Sequence, residues 1–464
     1  MKLKIFLAII FLGIGSTFLG NAQARYVFYF IGDGMGMGQI SAAQGYTRVI
    51  HGSDSLLPMM KMDVASFATT HSASSPITDS AAAGTALSTG AKTKNGMLGM
   101  NGDTLEVISI ARILKDKGNF GVGLITTVAP DDATPAAFYA HVPHRSMFYE
   151  IGKQMAESGY EFIAGANLRG AKDKEGKPND LIGYFKNNGV TIVRGMDGVA
   201  NLEADRILLL SPDTITLNDV GYTIDSIPGA LTLPAMTRAG IQHLQSKSPE
   251  RFFMMVEGGS IDHAGHANDA AAAVMETLNF NEALALALEF YNQHPDETLI
   301  VVTADHETGG LGMGTPTLGY WQQLDRLKHV TMSKDSFSNW IKQFINDEKN
   351  PGWDEMKSAL NEKMGLFRVF PVSENEEAML AQRLDAIKTN LNGDDKQALN
   401  RSFSGFRELV FSIISRQSGI GWTTGDHTGA VVPVFAIGVG SEKFNGPLDN
   451  TQIPIRILEA TGVK

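Results

Sequence analysis

The sequence predicts an α/β fold with a mostly parallel central sheet and helices on both faces. Three observations carry this expectation. Short apolar runs rich in β-branched and aromatic residues recur along the chain, most of them continuous rather than alternating, as strands buried on both faces require. Helical patterns lie between these runs, and alternation of strands with helices implies parallel crossovers. Polar, glycine-containing segments follow directly on several runs, and open α/β sheets bind their ligands outside the carboxyl ends of the strands.

The strand runs, in order, cover residues 26–31, 121–126, 206–210, 252–256, 298–303 and 432–439, and the clearest helical patterns cover 105–117, 147–158 and 270–291. Residues 311–421 interrupt the alternation. From Ser333 onward this stretch carries helical patterns at 337–346, 375–391 and 395–415, so it reads as a helical insert. It lies between two segments that carry candidate ligands, so it must leave and rejoin the fold at the rim of a site, either as a cap or as a solvated elaboration.

Residues 1–24 read as a signal peptide: Lys2 and Lys4 open it, an apolar stretch follows, and Ala22-Gln23-Ala24 offers a small-x-small cleavage pattern. The apolar stretch is short for the roughly 20 residues a membrane span needs. The expected organisation is therefore a leader at 1–24 and one catalytic domain at 25–464 carrying the insert, with an exported, periplasmic or secreted product and no membrane anchor after cleavage. The chain has no cysteine and a formal charge of −11. An exported chain without disulfides must rely on its core and on bound metals. The negative charge disfavours nucleic acid as a partner and repels phosphate esters unless local cations invert the field.

Five segments hold the chemistry: Gly32-Asp33-Gly34-Met35-Gly36, Thr78-Asp79-Ser80-Ala81-Ala82, Glu257 to His266, Thr303 to Gly310, and Gly425-Asp426-His427-Thr428-Gly429. Mixed carboxylates and imidazoles suit zinc and magnesium, and a serine beside them suggests a metal-activated nucleophile. Ser80 opens a run of small residues expected to be helical, and a helix N-terminus favours phosphate and alkoxide. Asp262 and His266, four residues apart, share a helix face. Neighbouring Asp305 and His306 cannot point the same way on a strand, so both reach one ion only past its end. Arg145 offers a planar fork for two phosphate oxygens, with Asp79 placed to hold it.

In this order the five segments closely resemble the alkaline phosphatase family, from about Tyr26 to the C-terminus apart from the poorly matched 311–421. The resemblance implies a phosphomonoester hydrolase acting through a phosphoserine at a site with two Zn²⁺ and one Mg²⁺. It assigns Ser80 as nucleophile and Arg145 as phosphate clamp. One zinc falls to Asp33, Asp305 and His306, and the other to Asp262, His266 and His427. Magnesium falls to Asp33, Thr134 and Glu257, with Asp132 orienting waters and His263 either assisting there or simply packing. The implied partners are small phosphate monoesters and inorganic phosphate, and the pattern is compatible with a homodimer. A sulfatase would need a C/S-x-P-x-R segment at the nucleophile, which Thr78-Asp79-Ser80-Ala81 lacks. Diesterases of this superfamily commonly carry threonine as nucleophile and lack the arginine clamp. A non-catalytic phosphate-binding or metal-storage protein would not require the serine with every ligand.

Overall fold

The structure, a computed structural model, describes residues 23–464 apart from 53, 200–201, 216–218, 349–350 and 392–394. The expected leader, save for Gln23 and Ala24, lies outside the described residues. Ten strands form one sheet. In chain order they are β1 (Tyr26–Ile31), β2 (Val64–Thr69), β3 (Gly121–Thr126), β4 (Phe162–Gly165), β5 (Thr191–Arg194), β6 (Ile207–Leu210), β7 (Phe252–Glu257), β8 (Thr298–Thr303), β9 (Val432–Gly438) and β10 (Leu448–Asp449). Across the sheet they run β10-β2-β9-β8-β1-β7-β3-β4-β6-β5. All neighbours pair in parallel except β9, which is antiparallel to both β8 and β2.

The central strands β1, β3, β7 and β8 are buried along their whole length, which explains why their sequences are continuously apolar. Their register decides the function of the fold. Ile31 pairs with Glu257 on one side and Thr303 on the other, and Glu257 pairs with Thr126. The four strands therefore end level, and the chain leaves them at Gly32-Asp33, Gly258, Ala304-Asp305 and Thr127 along one edge.

Several boundaries differ from the sequence expectation. The helix expected from 105 begins at Ile110, because the Ser109 side chain accepts from the Arg112 N–H and caps it there. The run 432–439 forms the antiparallel strand. The pattern reading missed β2, whose burial is interrupted by exposed positions, the four-residue strands β4 and β5, and the helix Trp353–Met364.

Within 311–421 the structure contains the helices Lys334–Asp347, Trp353–Met364, Glu374–Leu391 and Lys396–Ser418. Phe337, Leu360, Leu384 and Phe406 bury into a cluster of their own, which joins Ala42, Tyr46 and Val274 of the helices Met37–His51 and Ala270–Gln293. A short antiparallel ladder closes the neck, pairing Gly312 with Gly421 and Met313 with Ile420. No helix among the described residues is long and apolar enough to cross a membrane.

Two glycines separate packing from propensity. A Cβ at Gly38 would lie 2.1 Å from the Leu311 carbonyl oxygen, where the insert begins, whereas one at Gly183 meets nothing within 4 Å. Gly183→Ala should raise stability by about 0.5–1 kcal/mol through helix propensity. Gly38→Ala should lower it by about 1–3 kcal/mol, since backbone must shift. Thermal or urea unfolding of the two variants checks the opposite signs.

Candidate active site

The strand ends bring four carboxylates together. Asp33 follows β1, Glu257 ends β7, Asp305 follows β8, and Asp262 sits on the short helix Ser260–His266 that follows β7. All four are buried. Two overlapping groups place ligand atoms within 4.8 Å of one another: Asp33, Asp305 and His306, and Asp262, His306 and His427. His306 lies 3.4 Å from Asp33 and 3.2 Å from Asp305. The turn past β8 thus lets neighbouring residues converge, as their spacing requires.

His266 and Asp262 approach to 3.4 Å across one helical turn, and His266 lies 3.1 Å from His427 between ring nitrogens. His427 comes from the far end of the chain. It is delivered by a ladder pairing His427 with Thr308 and Thr428 with Glu307, and its ring stacks on His306 with centroids 3.6 Å apart. Glu307, though inside the motif, is not free to bind a metal. Its carboxylate accepts from Gln39, Gly310, Leu311 and Thr428 and so fastens the loop.

Ser80 opens the helix Ser80–Thr89, where Asp79 is the N-cap and accepts from the Ala82 N–H. The Ser80 Oγ lies 3.2 Å from His306 Nε2. Arg145 donates to Asp79 at 3.4 Å and to Asp132 at 3.1 Å. Thr134 donates to Asp33 at 3.5 Å. Asp33, Asp262, Asp305, His306 and His427 thus fall within the two close groups. Ser80 and Thr134 adjoin them, His266 reaches Asp262 and His427, and Arg145 reaches Asp79 and Asp132. Of the two residues expected next to the magnesium ligands, Asp132 accepts from Arg145, and His263 faces Asp219 at 3.4 Å.

Sequence reasoning missed four groups. Arg169 donates to Asp132 at 2.8 Å, so that carboxylate lies between two guanidiniums. Asp219 holds His263, while Thr126 and Thr308 donate to Glu257 and Asp262. The threonines had a legible signal, because one ends a strand and the other lies inside a quoted motif. Arg169 and Asp219 had none.

The electrostatics fit cation binding. Burial drives the Asp33 carboxyl well above its ordinary range, with Asp305, Asp262 and Glu257 adding repulsion. Burial also pushes Glu257 up to about 8 and Asp305 up to about 7. Burial works against ionised Asp262 as well, but His306, His266 and His427 outweigh it and hold its pKa low. Asp132 is likewise held low by Arg145 and Arg169 against the pull of burial. Three buried carboxylate oxygens, Asp33 Oδ1, Glu257 Oε1 and Asp305 Oδ2, have no protein hydrogen-bond partner. Buried polar atoms without partners are costly, and divalent cations bound at these carboxylates would satisfy them.

The sign of the pH dependence follows. Carboxyls whose folded pKa is raised favour the protonated folded state. Their contribution is full below the ordinary carboxylate range and is lost as pH climbs through about 7 and 8, the values for Asp305 and Glu257. Metal-stripped protein should therefore melt at progressively lower temperature from about pH 5 to about pH 9. Saturating zinc and magnesium should abolish that slope, because cations favour the ionised form. A flat profile in verified metal-free protein would contradict the buried cluster.

Comparisons with known proteins agree with the fold and with the family that the sequence resembles. A family model described as alkaline phosphatase matches residues 24–161 and 151–463. Alkaline phosphatase 3 of Bacillus subtilis is 30% identical over 390 residues, covering 83% of this chain and 77% of its own length. The solved alkaline phosphatase of Thermus thermophilus is similar with a TM-score of 0.78 at 27% identity, over 98% of this chain and 96% of the other. A variant of the TAB5 alkaline phosphatase, solved with magnesium bound, superposes with a TM-score of 0.64 at 25% identity, over 96% and 99% of the two chains. Matched along almost its whole described length by the family model, the chain belongs to the alkaline phosphatase family of phosphoric monoester hydrolases.

Proposed function

We propose that the chain hydrolyses phosphate monoesters through a phosphoserine formed on Ser80, at a centre that holds two zinc ions and one magnesium ion. The observation that carries this reading is the Ser80 Oγ, 3.2 Å from the His306 nitrogen where the two ligand groups overlap. Asp33, Asp305 and His306 would hold one zinc, Asp262, His266 and His427 the other, and Asp33, Thr134 and Glu257 the magnesium. Hard oxygen donors suit magnesium, and the imidazole-containing sets suit zinc. When bound, such ions lower the pKa of hydroxyls in the site and offset the charge of the phosphoryl oxygens.

The chain's own groups do the rest. Ser80, at the positive end of its helix, has its Oγ presented to phosphorus. The new Oγ–P bond forms as the ester P–O bond breaks, and the alcohol leaves with a proton. Water then attacks the phosphoserine, its oxygen joins phosphorus, Ser80 regains a proton and inorganic phosphate departs. Arg145 is held as a fixed fork by Asp79 and Asp132, suited to two non-bridging oxygens whose charge spreads in the transition state. Such pre-positioning costs no reorganisation during reaction.

In this reading, residues 25–464 form one catalytic unit with an insert at about 311–421, following a signal segment at 1–24. The product is exported, periplasmic or secreted, and its charge disfavours nucleic acid as a partner. The negative formal charge and the leader's composition support these points.

Ser80→Ala should lower p-nitrophenyl phosphate turnover by at least about a thousandfold while metal content and melting temperature persist. Trapping with labelled phosphate at acid pH should mark Ser80, and label on another residue would sink the nucleophile assignment. Arg145→Ala should cut monoester kcat/KM about a hundredfold and weaken phosphate inhibition. Its effect on a diester should be smaller, since a diester has one fewer free oxygen for the fork. Equal losses on both substrates would remove Arg145 from the clamp role.

A further inference from the structure

Beside the candidate active site lies a cavity of about 730 Å³ whose lining shares His266 with the proposed ligand sets. One wall belongs to the catalytic domain and includes His263, His266 and Arg169. The facing wall belongs to the insert and includes Lys334, Asp335 and Arg407. Its volume falls within the roughly 300–1,000 Å³ range of small-molecule sites and far exceeds what a phosphoryl group requires.

The insert wall is fixed in place. The Ser333 N–H donates to Asp225 at 2.7 Å and its hydroxyl donates at 2.8 Å. The Lys334 N–H donates to Asp269 at 2.7 Å, and the other oxygen of Asp269 caps the helix Ala270–Gln293 through Ala272. The Lys334 ammonium, almost wholly buried, donates to Glu408 and to the Ala267 carbonyl. Arg169 is equally constrained. Asp131 accepts from the Arg169 and Gly170 N–H groups, and the guanidinium lies 5.0 Å over the Phe148 ring while donating to Asp132. The cavity is therefore formed before anything binds.

Its chemistry is mixed. Four carboxylates, those of Asp219, Asp225, Asp335 and Glu408, share the lining with the three cations of Arg169, Lys334 and Arg407. The Nε of Arg407 is buried without a hydrogen-bond partner. Most of these charges already pair within the protein, Asp225 with Ser333, Asp219 with His263, Glu408 with Lys334 and Arg169 with Asp132. An alkyl or aryl body would therefore strand the Arg407 Nε and the remaining carboxylate lone pairs, and a second anionic group would face the carboxylates. A polyhydroxylated body donates to one set and accepts from the other.

We infer that this cavity is the leaving-group subsite, and that it selects monoesters of polyhydroxylated, sugar-type alcohols. Arg169 joins its floor to the phosphate clamp through Asp132, and Asp335 and Arg407 read the hydroxyls from the insert side. The inference rests on the phosphomonoesterase reading given above and deepens it. His266, assigned to the ligand set of Asp262 and His427, forms part of the same wall and joins the cavity to the site.

The test uses the metal-loaded full chain with three substrates: glucose 6-phosphate, n-hexyl phosphate and p-nitrophenyl phosphate. The wild-type enzyme should favour glucose 6-phosphate over n-hexyl phosphate in kcat/KM by about tenfold or more, since unpaired polar groups discriminate strongly. Asp335→Ala and Arg407→Ala should each lower that ratio by about three- to tenfold, mainly through KM. Asp335→Asn, which can still hydrogen-bond, should retain more than half of the preference. A wild-type enzyme that prefers n-hexyl phosphate overturns the subsite whatever the variants do. A ratio unchanged in variants with wild-type melting temperature overturns it too. Absence of turnover on all three monoesters would instead strike the phosphomonoesterase reading itself.

Discussion

Mutual repulsion among buried carboxylates is the constraint on which the molecule depends. Asp33, Glu257, Asp262 and Asp305 converge where water is excluded, and nothing in the protein satisfies three of their oxygens. Such an arrangement persists only where surrounding structure enforces it. Here the enforcing element is the register of β1, β7 and β8, whose ends are level to the residue. A one-residue slip would turn each strand's side chains to the opposite face and scatter the cluster. The fully apolar strands beneath it supply the stabilisation, and the polar cost is confined to their last positions.

Around that cluster, single carboxylates repeatedly perform two tasks. Glu307 ties the first helix, the start of the insert and the C-terminal ladder to one point. Asp132 joins Arg145 to Arg169, and Asp269 caps a core helix while accepting from the first residue of the insert's leading helix. The insert has its own apolar interior yet is bonded to the catalytic domain at its neck and at its first helix. It is a fixed wall of the cavity.

Much of this was legible in the sequence, for local reasons. The central strands announce themselves because burial on both faces leaves no polar positions. The ligand segments are readable because each follows its strand within a few residues, so type and spacing survive in one string. Asp305 beside His306 could be placed past the strand end by stereochemistry alone. What escaped was non-local or locally ambiguous. Arg169 acquires its meaning from Asp132 and Phe148, far away in sequence, and resembles any surface arginine in a string. Asp219 depends on His263 in the same way. The strands β4 and β5 are too short to show a period, and the helix expected from 105 was overextended because apolar residues precede the cap at Ser109.

The antiparallel strand β9 has a consequence for damaged copies of the chain. It lies between β8 and β2, so it alone attaches β2 and β10 to the rest of the sheet. His427, just ahead of it, is the final group to reach the site. A product clipped or terminated before residue 427 would lose this histidine and leave the flank of β8 as an open, apolar edge, the kind of surface that invites aggregation and proteolytic clearance. Incomplete copies would thus be marked for removal by the same break that silences them.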